Sequence, residues 1–566
     1  MSVTAGQSSS YVSGLADRPL VGETIAMALD RAAEAWPEQA AVVAREQGVR
    51  LSYAALRDRV EAVARGLIAL GLAPGDRIGI WSPNNIEWVL TQFAAAKAGL
   101  ILVSLNPAYR CSEIEYALRK VGCRAIVCAT SYKTSHYLEI LAEVAPELKT
   151  SLPGALRAKS LPDLAIVIQI GAPAFPGAIA FETLASPGDA VDTSLVEVAS
   201  KVGFDDPTNI QFTSGTTGAP KGATLTHHNI LNNGFFVGEG IGLGVGDRVC
   251  IPVPFYHCFG MVMGNLACLT HGSTIVIPSA AFDPGAVLSA IEEEGCTALY
   301  GVPTMFIAIL EHPELDGYRL GSLRTGIMAG APCPIEVMRR VVDILGIRDI
   351  TIAYGMTETS PVSFQTSRID TLERRVSTVG RVHPHIEVKI VDDKGSITPR
   401  GTPGELCTRG YSVMRGYWGD EQRTVEVIDQ AGWMHTGDLA TIDAEGYCNI
   451  VGRIKDMVIR GGENISPREI EEFLHTHPDI KDVQVFGVPD TKFGEELCAW
   501  VQLRASCRLD EEDVRSYCRG KIAHYKVPRY VRFVEAFPMT VTGKIQKFVM
   551  RDRMRDELLL AETRTA

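Results

Sequence analysis

The middle of the chain carries the glycine-rich run Thr213-Ser214-Gly215-Thr216-Thr217-Gly218-Ala219-Pro220-Lys221-Gly222. Its three glycines leave the backbone free to fold closely, and successive N–H groups in such a loop form a concave nest for an anion. Four hydroxyl groups and the Lys221 ammonium add donors that suit phosphate. The run differs from a Walker A loop, because Pro220 precedes Lys221 and Gly222 follows it. We therefore predict a phosphate-binding loop, with a flexible surface turn as the alternative.

An alternation of helices and strands surrounds this loop. Over residues 53–70, apolar side chains recur every three or four positions, which predicts an amphipathic helix, and a further helix is predicted over 260–270. Short apolar strands alternate with such helices on both sides of the loop. This rhythm predicts parallel sheets covered on both faces, with ligands at the carboxyl ends of the strands. Since it occurs in two series, we predict an α/β fold with two doubly wound sheets.

The rhythm changes in the last third of the chain. From about Val379, short strands separated by Gly and Pro turns predict a small β-barrel that completes a large N-terminal domain of residues 1–454. A smaller α+β unit follows, and we expect residues 455–566 to form a mobile C-terminal domain.

Composition and charge exclude several classes of protein. The net charge of -12 argues against general binding to nucleic acid and against a basic membrane-binding surface. No window reaches the roughly 18 apolar residues that a transmembrane helix needs, and the N-terminal residues have no pattern of a signal or import peptide. The 13 cysteines include no CxxC pair, which is typical of reduced thiols. We expect a cytoplasmic protein, and a homodimer is one oligomeric state left open.

Six further motifs follow the loop in a fixed order. They are Pro254-Phe255-Tyr256-His257, Ala329-Gly330-Ala331-Pro332, Tyr354-Gly355-Met356-Thr357-Glu358, Thr436-Gly437-Asp438, Gly452-Arg453-Ile454-Lys455-Asp456 and Pro538-Met539-Thr540-Val541-Thr542-Gly543-Lys544. Together they resemble the motif set of the adenylate-forming superfamily over roughly residues 25–555. The runs 300–306 and 460–465 look most like medium-chain acyl-CoA synthetases of the "family member 2" type.

The resemblance implies a two-step reaction with ATP, Mg²⁺ and coenzyme A. A small-molecule carboxylic acid attacks the α-phosphate of ATP, which leaves an acyl-adenylate, and the CoA thiol then displaces AMP. Phosphoryl transfer of this kind chiefly needs positioning and neutralisation of charge.

The resemblance also assigns residues to the nucleotide. Glu358 is the candidate Mg²⁺ ligand, with a solvated loop acid as the alternative, and Thr357 is a donor to the α-phosphate or a helix N-cap. Asp438 is the candidate acceptor for the two ribose hydroxyls, with an aspartate that only forms a turn as the alternative. Arg453 is a candidate to contact the same ribose, with a plain surface arginine as the alternative. The predicted ATP/AMP-binding set is Thr213, Ser214, Gly215, Thr216, Thr217, Gly218, Lys221, Gly330, Ala331, Pro332, Tyr354, Gly355, Met356, Thr357, Glu358, Asp438, Arg453 and Lys544.

Lys544 is the predicted catalytic residue of the first half-reaction. An ammonium near both the attacking carboxylate and the α-phosphate offsets charge that the transition state concentrates. Lys221 and Lys547 are the other lysines considered for this role. Because the phosphate loop lies far from Lys544 in the sequence, the small domain must close on the large one, and Lys455 matches the hinge. Gly461-Gly462 matches the CoA channel, or forms an ordinary turn.

The acyl pocket is expected to be apolar. The resemblance places His257, Met261, Val302 and Met305 there. If His257 orients the substrate, it belongs to the catalytic residues together with Thr357 and Lys544. The alternative is that His257 is a structural histidine. Each buried methylene contributes about 0.8 kcal/mol, only about fourfold in affinity, so tolerance of chain length is expected.

Three functions are weighed for this chain. The first is an AMP-forming ligase that joins short- to medium-chain fatty acids to CoA. The second is an acyl-adenylating enzyme that loads a carrier protein, and the third is a non-enzymatic nucleotide-binding regulator. The simultaneous presence of Glu358, Lys544 and the phosphate loop favours an enzyme over the regulator.

Overall fold

The computed structural model describes residues 9–185, 195–213, 220–331, 333–460, 463–505, 507–540 and 545–558. Of the predicted site residues, those at 214–218, 332, 461, 462 and 544 lie outside these ranges. No described helix combines the length and the apolar character that a bilayer crossing requires.

The predicted pair of doubly wound sheets is confirmed. The first sheet has eight strands, in the order Ile179–Ala180, Ile166–Ile170, Ala125–Ala129, Arg77–Trp81, Ile101–Ser104, Pro207–Thr213, Lys221–Thr226 and Gly416–Tyr417. Its first six strands are parallel, and the last two join antiparallel.

The second sheet has nine strands. Their order is Arg381–Val382, Val362–Gln365, Asp349–Gly355, Thr325–Ala329, Ala298–Gly301, Arg248–Cys250, Thr274–Ile277, Ala40–Ala44 and Val49–Ser52. Its six central strands, from Asp349–Gly355 to Ala40–Ala44, are parallel.

Helices pack on these two sheets. The predicted helix over 53–70 is Tyr53–Ala69, where the Ser52 side chain accepts a hydrogen bond from the Ala55 amide and the apolar stripe is buried. The other α-helices of this part are Ile25–Ala35, Ile86–Lys97, Cys111–Val121, Tyr137–Val144, Leu195–Ala199, His227–Ile241, Cys258–Gly260, Ala267–His271, Pro284–Glu294, Pro303–Leu310, Ile335–Ile344, Leu372–Ser377 and Glu421–Val427.

The single helix predicted over 260–270 is wrong in detail. A π-helical segment, Met261–Leu266, separates two short α-helices there. Apolar periodicity does not reveal one inserted residue in a helix, which is what a π-helical turn contains.

The predicted small barrel is a five-stranded antiparallel sheet. Its order is Tyr11–Ser13, Ile386–Val391, Gly404–Gly410, Met434–Ile442 and Cys448–Arg453. Within the described ranges its two edge strands do not pair with each other, so the sheet is open. The strand Tyr11–Ser13 comes from the opposite end of the chain, and no local sequence pattern predicts which strand it pairs with.

The smaller C-terminal α+β part is also confirmed. The strands Glu463–Ile465, Val458–Arg460, Gly494–Leu503, Ile480–Asp490 and Tyr530–Phe533 form one sheet, with helices Pro467–His475, Glu511–Cys518 and Lys547–Glu557. Its buried apolar residues, among them Val483, Val485 and Leu497, form a core separate from that of the large part.

Candidate active site

Glu358 joins the two large sheets at their strand ends. It follows the strand Asp349–Gly355 of the second sheet and is 6% exposed. Its Oε1 accepts a hydrogen bond from the Thr213 hydroxyl at 3.3 Å and one from the Tyr417 hydroxyl at 2.9 Å, both from the first sheet. Thr213 ends the strand before the phosphate loop. The structure thus brings together two predicted residues that lie far apart in sequence, and the solvated-acid interpretation of Glu358 is wrong.

Lys221 borders the same group. Its ammonium lies 4.9 Å from the centre of the Tyr417 ring, a cation–π contact. Burial, followed by the Glu358 charge, raises the pKa of Tyr417, so its hydroxyl stays a neutral donor. Tyr417 was missed by the sequence analysis, because it lies in a two-residue strand outside every motif.

Asp438 forms a second polar group. It is 7% exposed, its Oδ2 accepts a hydrogen bond from the Tyr354 hydroxyl at 2.6 Å, and its Oδ1 lies 3.3 Å from Nε of Arg453. Burial, followed by the Asp438 charge, raises the pKa of Tyr354. The Tyr354 hydroxyl is therefore fixed by a polar contact, whereas the Arg453 side chain lies at the surface, 46% exposed, and pairs with Asp438 from there.

Glu405 fixes the irregular stretch of the strand Met434–Ile442 that carries Asp438. Its Oε1 accepts a hydrogen bond from the Gly437 amide at 3.2 Å, and its Oε2 lies 2.9 Å from Nδ1 of His435. The Thr436 hydroxyl donates to the Leu406 carbonyl oxygen and accepts from the Asp438 amide. Glu405 was also missed, because it lies on the neighbouring strand Gly404–Gly410, about thirty residues before Asp438.

The remaining predicted nucleotide residues follow strand ends. Gly330 comes directly after Thr325–Ala329 with φ of 88°, a conformation that favours glycine. A Cβ on Gly355 would lie 1.7 Å from the Pro361 carbonyl oxygen, so only glycine fits this close approach. Ala331 is half-buried beside Gly330, and Thr357 is buried. The N-cap interpretation of Thr357 is wrong, since Met356 is the cap of that short turn.

The predicted acyl-pocket residues belong to one buried core. Met261, Val302 and Met305 are each at most 4% exposed. His257 is half-buried, and its Nδ1 accepts a hydrogen bond from the Phe259 amide at 3.4 Å, so it caps a short helix.

Buried polar groups lie behind Met261. The Gln211 amide donates to the Met261 sulfur at 2.9 Å, and the Cys258 thiol donates to the Gln211 carbonyl oxygen at 3.1 Å. Gln211 is 2% exposed. Polar side chains therefore border Met261 on this side, and the apolar acyl pocket stays a prediction.

The small domain contacts the large part beside the site. The Glu472 carboxylate accepts a hydrogen bond from the Ile335 amide, and Glu311 pairs with Lys481 at 2.6 Å and Arg504 at 3.1 Å. Lys455 lies exposed in the turn Ile454–Asp456 between the two parts.

Lys547 is held within the small domain. Its ammonium lies 2.5 Å from a Glu471 carboxylate oxygen and 2.9 Å from the Val485 carbonyl oxygen. This pairing argues against the catalytic role for which Lys547 was considered.

Comparison with known proteins identifies the family. The profile of the AMP-binding enzymes matches residues 29–418, and that of the AMP-binding enzyme C-terminal domain matches residues 469–544. The chain belongs to the AMP-binding enzymes, the adenylate-forming superfamily. Within that superfamily it is an acyl-CoA synthetase.

Individual relatives are similar over nearly the whole chain. The zebrafish (Danio rerio) protein "Medium-chain acyl-CoA ligase ACSF2, mitochondrial" is 49% identical over 97% of this chain and 91% of that protein. The "Putative acyl-CoA synthetase YngI" of Bacillus subtilis is 48% identical over 94% of this chain and 97% of its own. The crystal structure of the anthranilate CoA ligase AuaEII with anthranoyl-AMP has a TM-score of 0.84 at 26% identity, covering 96% and 99% of the two chains.

Proposed function

We propose that this protein is an ATP-dependent, AMP-forming ligase that joins short- to medium-chain fatty acids to CoA through an acyl-adenylate. The observation that carries the proposal is the contact of Glu358 with Thr213, which puts a buried carboxylate at the start of the phosphate loop. The similarity to acyl-CoA ligases over 97% of the chain supports the same activity.

The phosphate end of ATP lies at Thr213, Lys221 and the loop between them. Glu358 fits a Mg²⁺ site, because one of its oxygens is fixed by two hydroxyls and Mg²⁺ binds through one or two carboxylates plus substrate phosphates. Within the described residues, Oε2 of Glu358 has no hydrogen-bond partner. When bound, the ion neutralises phosphate charge. Thr357 donates to the α-phosphate.

The ribose and adenine lie at the other end. Asp438, buried beside Arg453, accepts hydrogen bonds from the ribose hydroxyls, and Tyr354 fixes its orientation. The adenine lies between the backbone of Gly330, Ala331 and Pro332 and the ring of Tyr354.

The two half-reactions use different positions of the small domain. Residues 1–454 form the stationary part, residues 455–566 move, and Lys455 is the hinge, since residues at element ends absorb large dihedral changes. Lys544 serves adenylation. Gly461 and Gly462 then line the channel for the CoA arm.

The acyl chain lies against His257, Met261, Val302 and Met305. Three of these side chains are buried and apolar, which suits a hydrocarbon chain. The polar side chain of Gln211 behind Met261 limits the depth of this pocket, since hydrocarbon placed against it breaks its hydrogen bonds. A cytoplasmic location and a homodimer remain predictions; the zebrafish relative is named as mitochondrial.

Single-turnover measurement of the two half-reactions tests the proposal. Lys544→Ala should slow formation of the acyl-adenylate at least tenfold to a hundredfold, because a hydrogen bond to a charged group contributes about 1.5–3 kcal/mol. Binding of ATP should change little. Lys521→Ala is the matched control, because that exposed ammonium contacts only the Tyr517 ring in the described structure. Unchanged adenylation by the Lys544 variant contradicts its assignment.

A further inference from the structure

A cysteine, a histidine and a glutamate converge on the open antiparallel sheet. Cys407 and His435 are direct partners across the strands Gly404–Gly410 and Met434–Ile442, and Glu405 precedes Cys407 by two residues. Nδ1 of His435 lies 3.5 Å from the Cys407 sulfur and 2.9 Å from Oε2 of Glu405. The three ligand atoms all lie within 4.8 Å of one another.

The exposure of the three side chains suits a metal ion that enters from solvent. Cys407 is fully buried, whereas the side chains of His435 and Glu405 are 35% and 25% exposed. A tetrahedral Zn²⁺ with ligand bonds of about 2.0–2.3 Å separates sulfur and nitrogen ligands by about 3.5 Å. The cysteine and histidine are therefore already at the spacing that such an ion requires.

The charges around the group leave room for a cation. Lys389 pairs with Cys407 on the other neighbouring strand, but its ammonium lies 4.4 Å from the centre of the Trp433 ring. Arg409 stacks on the same ring and pairs with Glu387. The carboxylates of Glu405 and Asp429 act on the thiol together with the Lys389 ammonium, so the negative charges outnumber the positive one.

We propose that Glu405, Cys407 and His435 form a binding site for a transition metal ion of the Zn²⁺ class. Thiolate and imidazole ligands select Zn²⁺, Co²⁺ or Cu⁺, whereas Mg²⁺ takes oxygen ligands, so this site is distinct from that of Glu358. The three side chains leave the fourth tetrahedral position to water. Binding displaces the Cys407 proton to solvent, so one proton is released for each ion bound.

The site is coupled to the nucleotide pocket through Glu405. Its Oε2 faces the proposed ion while its Oε1 holds the Gly437 amide, next to Asp438. An ion that draws charge from this carboxylate weakens the bond to Gly437 and loosens this stretch of the strand Met434–Ile442. Binding of the ion therefore lowers the affinity for ATP, and by linkage ATP lowers the affinity for the ion by the same factor.

Titration with Co²⁺ tests the site without measuring activity. The protein used is the full chain with Cys111→Ser and Cys507→Ser, because those partly exposed thiols lie beside the Glu143 and Asp479 carboxylates. We expect one Co²⁺ per chain, a thiolate-to-cobalt absorption band, and displacement by Zn²⁺.

Variants of two of the three ligands decide the outcome. Cys407→Ser should abolish the thiolate band, and His435→Gln should weaken binding at least tenfold, while the thermal unfolding midpoint without metal shows that each variant is folded. A band that persists in Cys407→Ser overturns the proposal, as does the absence of Co²⁺ binding by the parent chain. Equilibrium binding of ATP should weaken when Zn²⁺ is present, and equal affinities overturn the coupling.

Discussion

At the scale of single residues, the site depends on buried carboxylates held by neutral hydroxyls. Glu358 accepts hydrogen bonds from Thr213 and Tyr417, and Asp438 accepts one from Tyr354. Burial raises the pKa of both tyrosines, so each stays neutral and donates its hydroxyl hydrogen bond to the carboxylate. Each carboxylate therefore stays oriented before ATP binds.

Tyr417→Phe removes one donor to Glu358 and little volume. A hydrogen bond to a charged group contributes about 1.5–3 kcal/mol, so the rate of adenylation at low Mg²⁺ should fall by about tenfold to a hundredfold. Stopped-flow detection of pyrophosphate at several Mg²⁺ concentrations measures this. Tyr447→Phe is the matched control, because that hydroxyl donates to Asp370, away from the site. Equal effects of the two variants would contradict the role of Tyr417.

Tyr354→Phe removes the donor to Asp438 at the ribose end. We expect the KM for ATP to rise by about tenfold or more, while the KM for the fatty acid changes little. Initial rates measured over a matrix of both substrates separate the two constants. A rise confined to the fatty acid would place Tyr354 in the acyl pocket instead.

These tyrosines also show what sequence alone reveals of the site. Tyr354 and Glu358 stand in a motif at the end of a strand and Asp438 in a motif within one, and all three were predicted from those motifs. Tyr417, Glu405 and Gln211 contact those motifs from other strands. Their pairing depends on how distant segments pack, and no local pattern contains that information.

At the scale of elements, the helix His227–Ile241 ties the phosphate loop to the rest of the site. The Thr226 hydroxyl accepts a hydrogen bond from the Asn229 backbone amide, and Oδ1 of Asn229 accepts one from the Thr226 backbone amide, which is a capping box. The Asn229 amide group also donates to the carbonyl oxygens of Tyr411 and Val413. Met414, the next residue, donates its amide to the Glu358 carbonyl oxygen.

Asn229→Ala should destabilise the protein more than Thr226→Ala. Loss of the cap costs about 1 kcal/mol in both variants, but the first also leaves one buried and one partly buried carbonyl group without their donor, at about 1–3 kcal/mol for the buried group. Urea unfolding of the two variants beside the parent protein measures the difference. Equal losses of unfolding free energy in the two variants would show that the hydrogen bonds to Tyr411 and Val413 contribute nothing to stability.

At the scale of the whole molecule, periodicity predicted two doubly wound sheets and a separate small domain, and the structure confirms both. The open five-stranded sheet was less predictable, because Tyr11–Ser13 joins it from the start of the chain. Alternation of helices and strands can be detected within a short stretch of sequence. Whether a sheet closes into a barrel depends instead on which strands, distant in sequence, pair at its edges.

Two buried histidines make the stability of the folded chain depend on pH. Burial lowers the pKa of His383 to about 3 and that of His227 to about 4, from an ordinary 6.5. The unfolded chain takes up these protons below pH 6.5 and the folded chain does not. The free energy of unfolding therefore keeps their full contribution above pH 6.5 and loses it as the pH falls from 6.5 toward their pKa values in the folded chain.

Between pH 7 and pH 5 each of these histidines should cost about 2 kcal/mol of unfolding free energy. His383→Gln should remove its share of that loss, whereas His524→Gln, at an exposed position, should leave the loss unchanged. Urea unfolding at the two pH values measures both. A pH dependence equal in the two variants would contradict the assignment to His383.

The central claim is that this chain activates a carboxylic acid with ATP and transfers it to CoA. Pyrophosphate release with ATP and Mg²⁺, over acids from two to sixteen carbons with and without CoA, tests it most directly. We predict release that turns over only with CoA, an acyl-CoA product, and the highest rates for short to medium chains. Adenylate without thioester would indicate a carrier-protein acceptor, and no release with any acid would contradict the account.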